Sequence, residues 1–264
     1  MGYVRGELAR RREPAARTRP RLATAAGAGF LAAMAAAQVA SGVAADPVRL
    51  TGPVVGLLAA GAVAFLAARR GWGRAAGAFA AAAGVGYAAE WVGVRTGAPF
   101  GEYSYTGVLW PQAGGVPVAV AAAWGGMGLA AHAVATAIVP SGGAARVAVG
   151  AAALTAWDLF LDPQMLRLGL WTWADPGPYR GVPLSNFVGW LLVSALVMAV
   201  IDAVAGRAEQ AAPRGLLAVY TVMAAMETLA FAAVFAPPDP TVAAAGGTAM
   251  GAFAALAWRR RWPR

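Results

Sequence analysis

Apolar residues along this chain neither alternate nor keep a strict helical period. They run together in long stretches broken by short polar segments, the pattern of helices that are apolar all round. Eight stretches stand out: 22–45, 50–68, 75–94, 116–139, 146–162, 184–205, 213–236 and 241–258. Each is close to the length of helix needed to cross a hydrocarbon layer about 30 Å thick. The pattern predicts an all-α, polytopic membrane protein of about eight transmembrane helices. Residues 22–264 form one transmembrane domain behind a basic tail, 1–21. The stretch 22–45 is too long and too weakly terminated for a cleaved signal peptide, so it is read as the first helix. Small-residue pairs such as Gly84/Gly86 and Gly125/Gly126 permit close helix contact in lipid.

Composition narrows the chemistry. Of 264 residues, 59% are apolar and 12% charged, about half the charge of a soluble domain. A water-soluble globule and a disordered chain are both excluded. All 21 basic residues are Arg, which removes Schiff-base lysines, retinal attachment and the lysine of a phosphate-binding loop. The absence of Cys removes disulfides, thiolate nucleophiles and iron–sulfur ligation, and one His, His132, cannot make a metal site alone. The expectation is a mechanism resting on carboxylates and aromatics, with no metal and no cofactor.

The charges also orient the chain. Seven Arg lie within residues 1–21 and four within 259–264, both groups flanking apolar spans as contacts to anionic membrane lipid do, so nucleic acid is not an expected partner. With both termini cytoplasmic, the inner segments hold 17 of the 21 Arg, leaving Arg49, Arg95, Arg167 and Arg180 outside. The expectation is a multi-pass protein of the plasma membrane. Two outer loops, about 95–115 and 163–183, are long and mix Pro, Gly, aromatics and acids, as functional loops do.

Ionisable residues inside a membrane are expensive and mark candidate sites. Glu90 lies near the outer end of the third span. Asp158 and Asp162, four residues apart, share a face at the outer end of the fifth. Asn186 opens the sixth with Trp190 one turn below, and Glu227 lies in the outer half of the seventh. On this topology all five converge in the outer half of the membrane. Structural roles stay open for each: Glu90 pairing with Arg95, the aspartates capping helices or pairing with Arg167, Glu227 bonding a neighbouring helix. Asp202, near the inner end of its span, is expected to snorkel or pair with Arg207, and His132 to be a packing residue.

Aromatics crowd the same region: Trp91, Phe100, Tyr103, Tyr105, Trp110, Trp157, Trp171, Trp173, Tyr179 and Trp190. An interfacial belt accounts for part of this, but Trp is sparse on the inner side. A carboxylic acid among ring faces suits chemistry through a carbocation, the acid giving the proton and the rings stabilising positive charge.

Two stretches carry a resemblance. One runs from Glu90-Trp-Val-Gly-Val-Arg through Pro99-Phe-Gly-Glu-Tyr-Ser-Tyr105 to Gly115-Val-Pro117. The other runs from Trp157-Asp-Leu-Phe-Leu-Asp-Pro-Gln-Met165 through Gly169-Leu-Trp-Thr-Trp173 to Tyr179-Arg-Gly-Val-Pro-Leu-Ser-Asn-Phe-Val-Gly-Trp190. Together, over about a quarter of the chain, they resemble the CruF-type carotenoid-biosynthesis membrane proteins, which include carotenoid 1,2-hydratases and bisanhydrobacterioruberin hydratase. The resemblance implies addition of water across the terminal double bond of an acyclic carotenoid, giving a tertiary alcohol.

On that expectation Glu90, Asp158 and Asp162 are the catalytic candidates. Either aspartate serves as general acid with Glu90 positioning water, or the roles are reversed. Asn186 and Tyr105 would hold the water, and Trp157 and Trp190 would face the cation. Trp91, Tyr103, Trp171 and Glu227 complete the candidate substrate-binding set. Competing readings are a cyclase or isomerase using the same protonation, a non-catalytic carotenoid-binding protein, and a magnesium-dependent prenyltransferase built on Asp158 and Asp162. The prenyltransferase lacks a second acidic motif, and an ion transporter lacks a relay of acids across the bilayer.

Overall fold

A computed structural model describes residues 3–206 and 212–259, with side chains described from residue 20. Eight α-helices carry the described fold: α1 (Tyr3–Val43), α2 (Val48–Arg70), α3 (Trp72–Thr96), α4 (Val118–Ile138), α5 (Gly143–Arg167), α6 (Leu184–Ala205), α7 (Arg214–Leu229) and α8 (Pro240–Arg259). A π-helical turn, Ala230–Val234, continues α7. Most of the expected basic tail, 1–21, lies outside the residues whose side chains are described, as do Arg207 and the last five residues.

Among the described residues seven helices are long and apolar enough to cross a membrane; α3 is not one of them. Its 25 residues are long enough, but Ala and Gly dominate it and Arg74, Glu90 and Arg95 lower its hydropathy further. It packs against α2, α4 and α6, so neighbouring helices cover the face that carries Glu90. The chain is a multi-pass, all-α membrane protein.

The connections gather at two ends of the bundle. At one, the α3–α4 and α5–α6 loops carry four short strands, one pair of which joins the two loops. β1 (Tyr103–Tyr105) pairs antiparallel with β4 (Trp171–Trp173), and β2 (Gln112–Ala113) pairs with β3 (Val116–Pro117). Arg167 and Arg180 tie the α5–α6 region to the α7–α8 loop, through the carbonyl of Pro237 at 2.8 Å and the carboxylate of Asp239 at 2.6 Å. At the other end the C-termini of α2 and α6 meet the start of α7 around Arg69, Arg70, Ala205 and Pro213. Asp202 there binds His132 at 2.7 Å and Arg146 at 3.1 Å; the expected partner Arg207 lies outside the described residues. His132 is therefore a satisfied structural partner.

The core is built of small residues. Ala75, Ala78, Ala82 and Gly86 line the buried face of α3, and Gly125, Gly126 and Gly128 lie on α4. A methyl group at Gly126 would strike Leu58 of α2, and one at Gly128 would press on Val197 of α6. Close helix approach is what such residues allow where lipid supplies no hydrophobic drive.

Candidate active site

Glu90 is held by a cage of donors. The phenol of Tyr105 donates to its Oε2 at 2.7 Å, the phenol of Tyr103 donates to the same oxygen, and the indole N–H of Trp124 donates to Oε1 at 3.0 Å. Local sequence explains the convergence. Gly86, Glu90 and Gly93 lie one turn apart on one face of α3. A Cβ at Gly86 would overlap the Trp124 ring, and one at Gly93 would sit 2.7 Å from the Tyr103 hydroxyl and 2.9 Å from Phe100. The missing side chains make room for the two donors on either side of the acid.

The tyrosines arrive by strand alternation. In β1, Tyr103 and Tyr105 point inward and Ser104 outward, and in β4 Trp171 and Trp173 do the same around Thr172. Register places Tyr103 opposite Trp173 and Tyr105 opposite Trp171, with ring centroids 5.0 and 5.5 Å apart. Burial, and then the nearby Glu90 charge, pushes both phenols above the usual tyrosine range. They are fixed proton-bearing donors to the carboxylate.

Facing them is the aspartate pair. Asp158 and Asp162 lie one turn apart on α5, and the amide nitrogen of Asn186, in the first turn of α6, donates to both, to Asp158 Oδ2 at 2.8 Å and to Asp162 Oδ2. Asp158 has no exposed surface and its Oδ1 has no hydrogen-bond partner. Pro163 immediately follows Asp162 inside the helix and has no N–H to give the carbonyl of Leu159. The Tyr179 hydroxyl donates to that carbonyl at 2.9 Å, so the helix continues past the proline with its freed acceptor satisfied.

Between the acids lies a cleft with mostly apolar walls. Trp124 and Trp190 stack on one side, Trp157 meets Trp190 edge-on at 6.2 Å, and the β1–β4 aromatics cover the loop side. Trp157 and Trp173 leave buried indole N–H groups without partners.

Of the residues expected from sequence, Glu90, Asp162, Tyr103, Tyr105, Trp157, Trp171, Asn186 and Trp190 line this cleft, and Asp158 sits behind Asp162 and Asn186. Two do not join them. Trp91 is 42% exposed and carries the Arg95 guanidinium over its ring at 4.0 Å, because one residue past Glu90 turns it about 100° away from the cleft. Glu227 lines a second cavity. Neither Arg takes the expected acid. Arg95 donates to the carbonyls of Trp91 and Gly114, and Arg167 to that of Pro237.

Asn186 and Tyr105, expected to hold water, donate to the carboxyl groups. Trp124 was not among the sequence candidates. Its signal was a Trp beside Gly125-Gly126 in an otherwise Ala-rich span.

For a cation the donor set is poorly placed. Among the described residues no three His, Cys, Asp or Glu side chains gather around one point, and between the two aspartates stands an N–H donor rather than an oxygen ligand.

Comparison with known proteins places the chain in a family. Residues 51–253 match the family model described as "Carotenoid biosynthesis protein". A 120-residue segment, 44% of this chain, is 33% identical to the bisanhydrobacterioruberin hydratase of Haloarcula japonica and covers 41% of that relative's length. No solved structure matches the chain. With the family model spanning well over half its length, the chain belongs to the carotenoid biosynthesis protein family.

Proposed function

We propose that the protein is a carotenoid hydratase, adding water across the terminal double bond of an acyclic carotenoid. The observation that carries this reading is the opposition of two differently equipped acid sites across one aromatic cleft. Glu90 receives hydrogen bonds from three side chains and gives none, the environment of an ionised carboxylate. Asp158 and Asp162 lie together in an apolar wall, bridged by the Asn186 amide with Trp171 beside Asp162; two adjacent like charges cannot both persist there, so the pair keeps a proton between them.

The chemistry follows from that asymmetry. The aspartate pair gives its proton to the less substituted carbon of the terminal alkene, leaving a tertiary cation. The faces of Trp190 and Trp157 stabilise it by about 0.5–2 kcal/mol per ring. Water forms the new C–O bond at the cationic carbon and loses a proton to Glu90. Return of that proton from Glu90 to the aspartates closes the cycle, so the net change is one water gained per chain end.

The hydrogen bonds support the aspartates as acid and Glu90 as base, with Asn186 and Tyr105 bonded to the carboxyls. No cofactor enters this scheme. The Arg-rich end of the bundle faces the cytoplasm on this reading, with both termini on that side and the cleft under the outer surface of the plasma membrane.

Expression in a host that accumulates lycopene, followed by pigment mass analysis, tests the proposal. The expected product is heavier by one water per processed end. Asp158→Asn and Glu90→Gln should each lower its yield by about 10²–10⁴-fold. Product of unchanged mass points to cyclisation, and hydroxylated pigment at the wild-type level from both variants overturns the assignment.

A further inference from the structure

A polar vestibule lies behind the aromatic wall of the acid cleft. Arg95, Thr96, Glu102, Ser104 and Thr172 line it, at the end of the bundle where β1 pairs with β4. Tyr103 and Trp173 line both the vestibule and the cleft, so this pair of rings, 5.0 Å between centroids, stands between them. Gly93 and Gly97 also line the vestibule, and a Cβ at Gly93 would sit 2.7 Å from the Tyr103 hydroxyl. The missing side chain brings the vestibule up to the phenol that holds Glu90.

The dividing rings carry polar atoms with capacity to spare. The Tyr103 hydroxyl donates to Glu90 and keeps lone pairs that can accept from a second donor. The Trp173 indole N–H is buried and has no partner. The rest of the cleft is mostly apolar, and a hydrocarbon tip lodged in it closes that approach to water.

We propose that this vestibule is the entry port for the water that reaches Glu90, and that Tyr103 and Trp173 are positioning residues that hydrogen-bond the water as it crosses their wall. The crossing water donates to the Tyr103 hydroxyl and accepts from the Trp173 N–H, then comes free beside the carboxylate. The hydroxyls of Ser104 and Thr172, 3.5 Å apart on the paired strands, keep the vestibule polar. The polar reactant thus arrives from the loop end while the apolar one occupies the cleft. The route is independent of the reaction; that its water is consumed rests on the hydratase reading.

The chain has no Cys, so one introduced thiol is the only target for a charged methanethiosulfonate reagent. Thr172→Cys puts the label in the vestibule, and Val108→Cys, at a position 55% exposed, puts it outside. Each purified full chain is compared with and without label in two assays. The first needs no carotenoid. After transfer to heavy water, infrared spectra follow the shift of the Glu90 carboxylate band, identified by its loss in Glu90→Gln, as its donors exchange. Label on Thr172→Cys should slow the shift by about tenfold or more, and label on Val108→Cys should leave it unchanged. Trp173→Phe keeps a ring in the wall, deletes the N–H and should slow the shift by about threefold to tenfold. In the second assay, label on Thr172→Cys should slow formation of hydrated lycopene by a similar factor. Its Kd for lycopene, from tryptophan quenching in an Asp158→Asn background, should stay the same.

An unchanged shift in labelled Thr172→Cys overturns the port, and one in Trp173→Phe overturns the crossing point. A slowed shift with undiminished hydration, or hydration lost through weaker lycopene binding, overturns the port as the source of the reacting water. A shift slowed by the vestibule label alone, in a protein that forms no hydrated lycopene, upholds the port and sinks the hydratase reading.

Discussion

Trp124 and Trp190 stack face to face across α4 and α6, ring centroids 4.1 Å apart and 19° from parallel, while the Trp124 indole N–H holds Glu90 at 3.0 Å. One side chain therefore joins the aromatic wall to the acid. Trp124→Phe keeps a ring in the stack and deletes the donor. A hydrogen bond to a charged group is worth about 1.5–3 kcal/mol, so product yield should fall by roughly tenfold or more while the thermal melt shows a folded protein. Product per unit of purified protein is the measurement.

Gly84 and Gly86 make a matched pair. A Cβ at Gly86 overlaps the Trp124 ring, whereas Gly84 has nothing within 4 Å of the same position. Gly86→Ala should cost about 1–3 kcal/mol of stability, the range for overpacking, and lower activity by displacing Trp124. Gly84→Ala should leave both unchanged. Equal behaviour of the two in melting and product assays contradicts the close approach of α3 and α4.

Tyr179 stands in for the backbone N–H that Pro163 lacks. Tyr179→Phe removes the donor to the Leu159 carbonyl while keeping the ring against Phe187. An unsatisfied buried carbonyl costs about 1–3 kcal/mol, and the turn that bends is the one carrying Asp158 and Asp162. The variant should lose stability and activity together. Replacing Pro163 with Ala in the same chain should recover stability, because α5 then supplies its own donor.

Asp239 begins α8: its Oδ1 accepts the Val242 N–H at 3.2 Å and the carboxylate binds Arg180 at 2.6 Å. Partial burial alone would raise this carboxyl, but the bonds from Arg180 and Val242 outweigh it and hold Asp239 below the usual range. A lowered folded value means the stabilisation is complete above the unfolded value of about 3.9 and is lost as pH falls through the folded one. Asp239→Asn should thus melt below the wild type at neutral pH, with the gap closing below about pH 4. A gap that persists or widens in acid assigns the effect to something other than this pair.

The helices and the acids were legible because membrane solvation writes both in bold. Long apolar runs cannot be strands, and a carboxylate in such a run must face protein. Proximity in sequence misled for Trp91, since a helix turns about 100° per residue and carries it away from the cleft, to the exposed face of α3. Glu227 shares the depth of the other acids, but depth does not fix azimuth, and α7 turns it into a different cavity. Trp124 was hidden because its importance lies in Gly86, on another helix. The β1–β4 pairing was illegible for a different reason: three-residue strands are too short to display a period of two.

That pairing has a consequence for how the loops can change. Two phenols reach one carboxylate because a single serine separates them. Inserting one residue between Tyr103 and Tyr105 would swing one phenol to the watery face and present a different group to Glu90. Lengthening anywhere in 106–110 would leave the parity intact. Length changes in this loop are thus quantised: the register accommodates them beyond the threonine at 106, while between the two tyrosines the spelling is locked to an odd count.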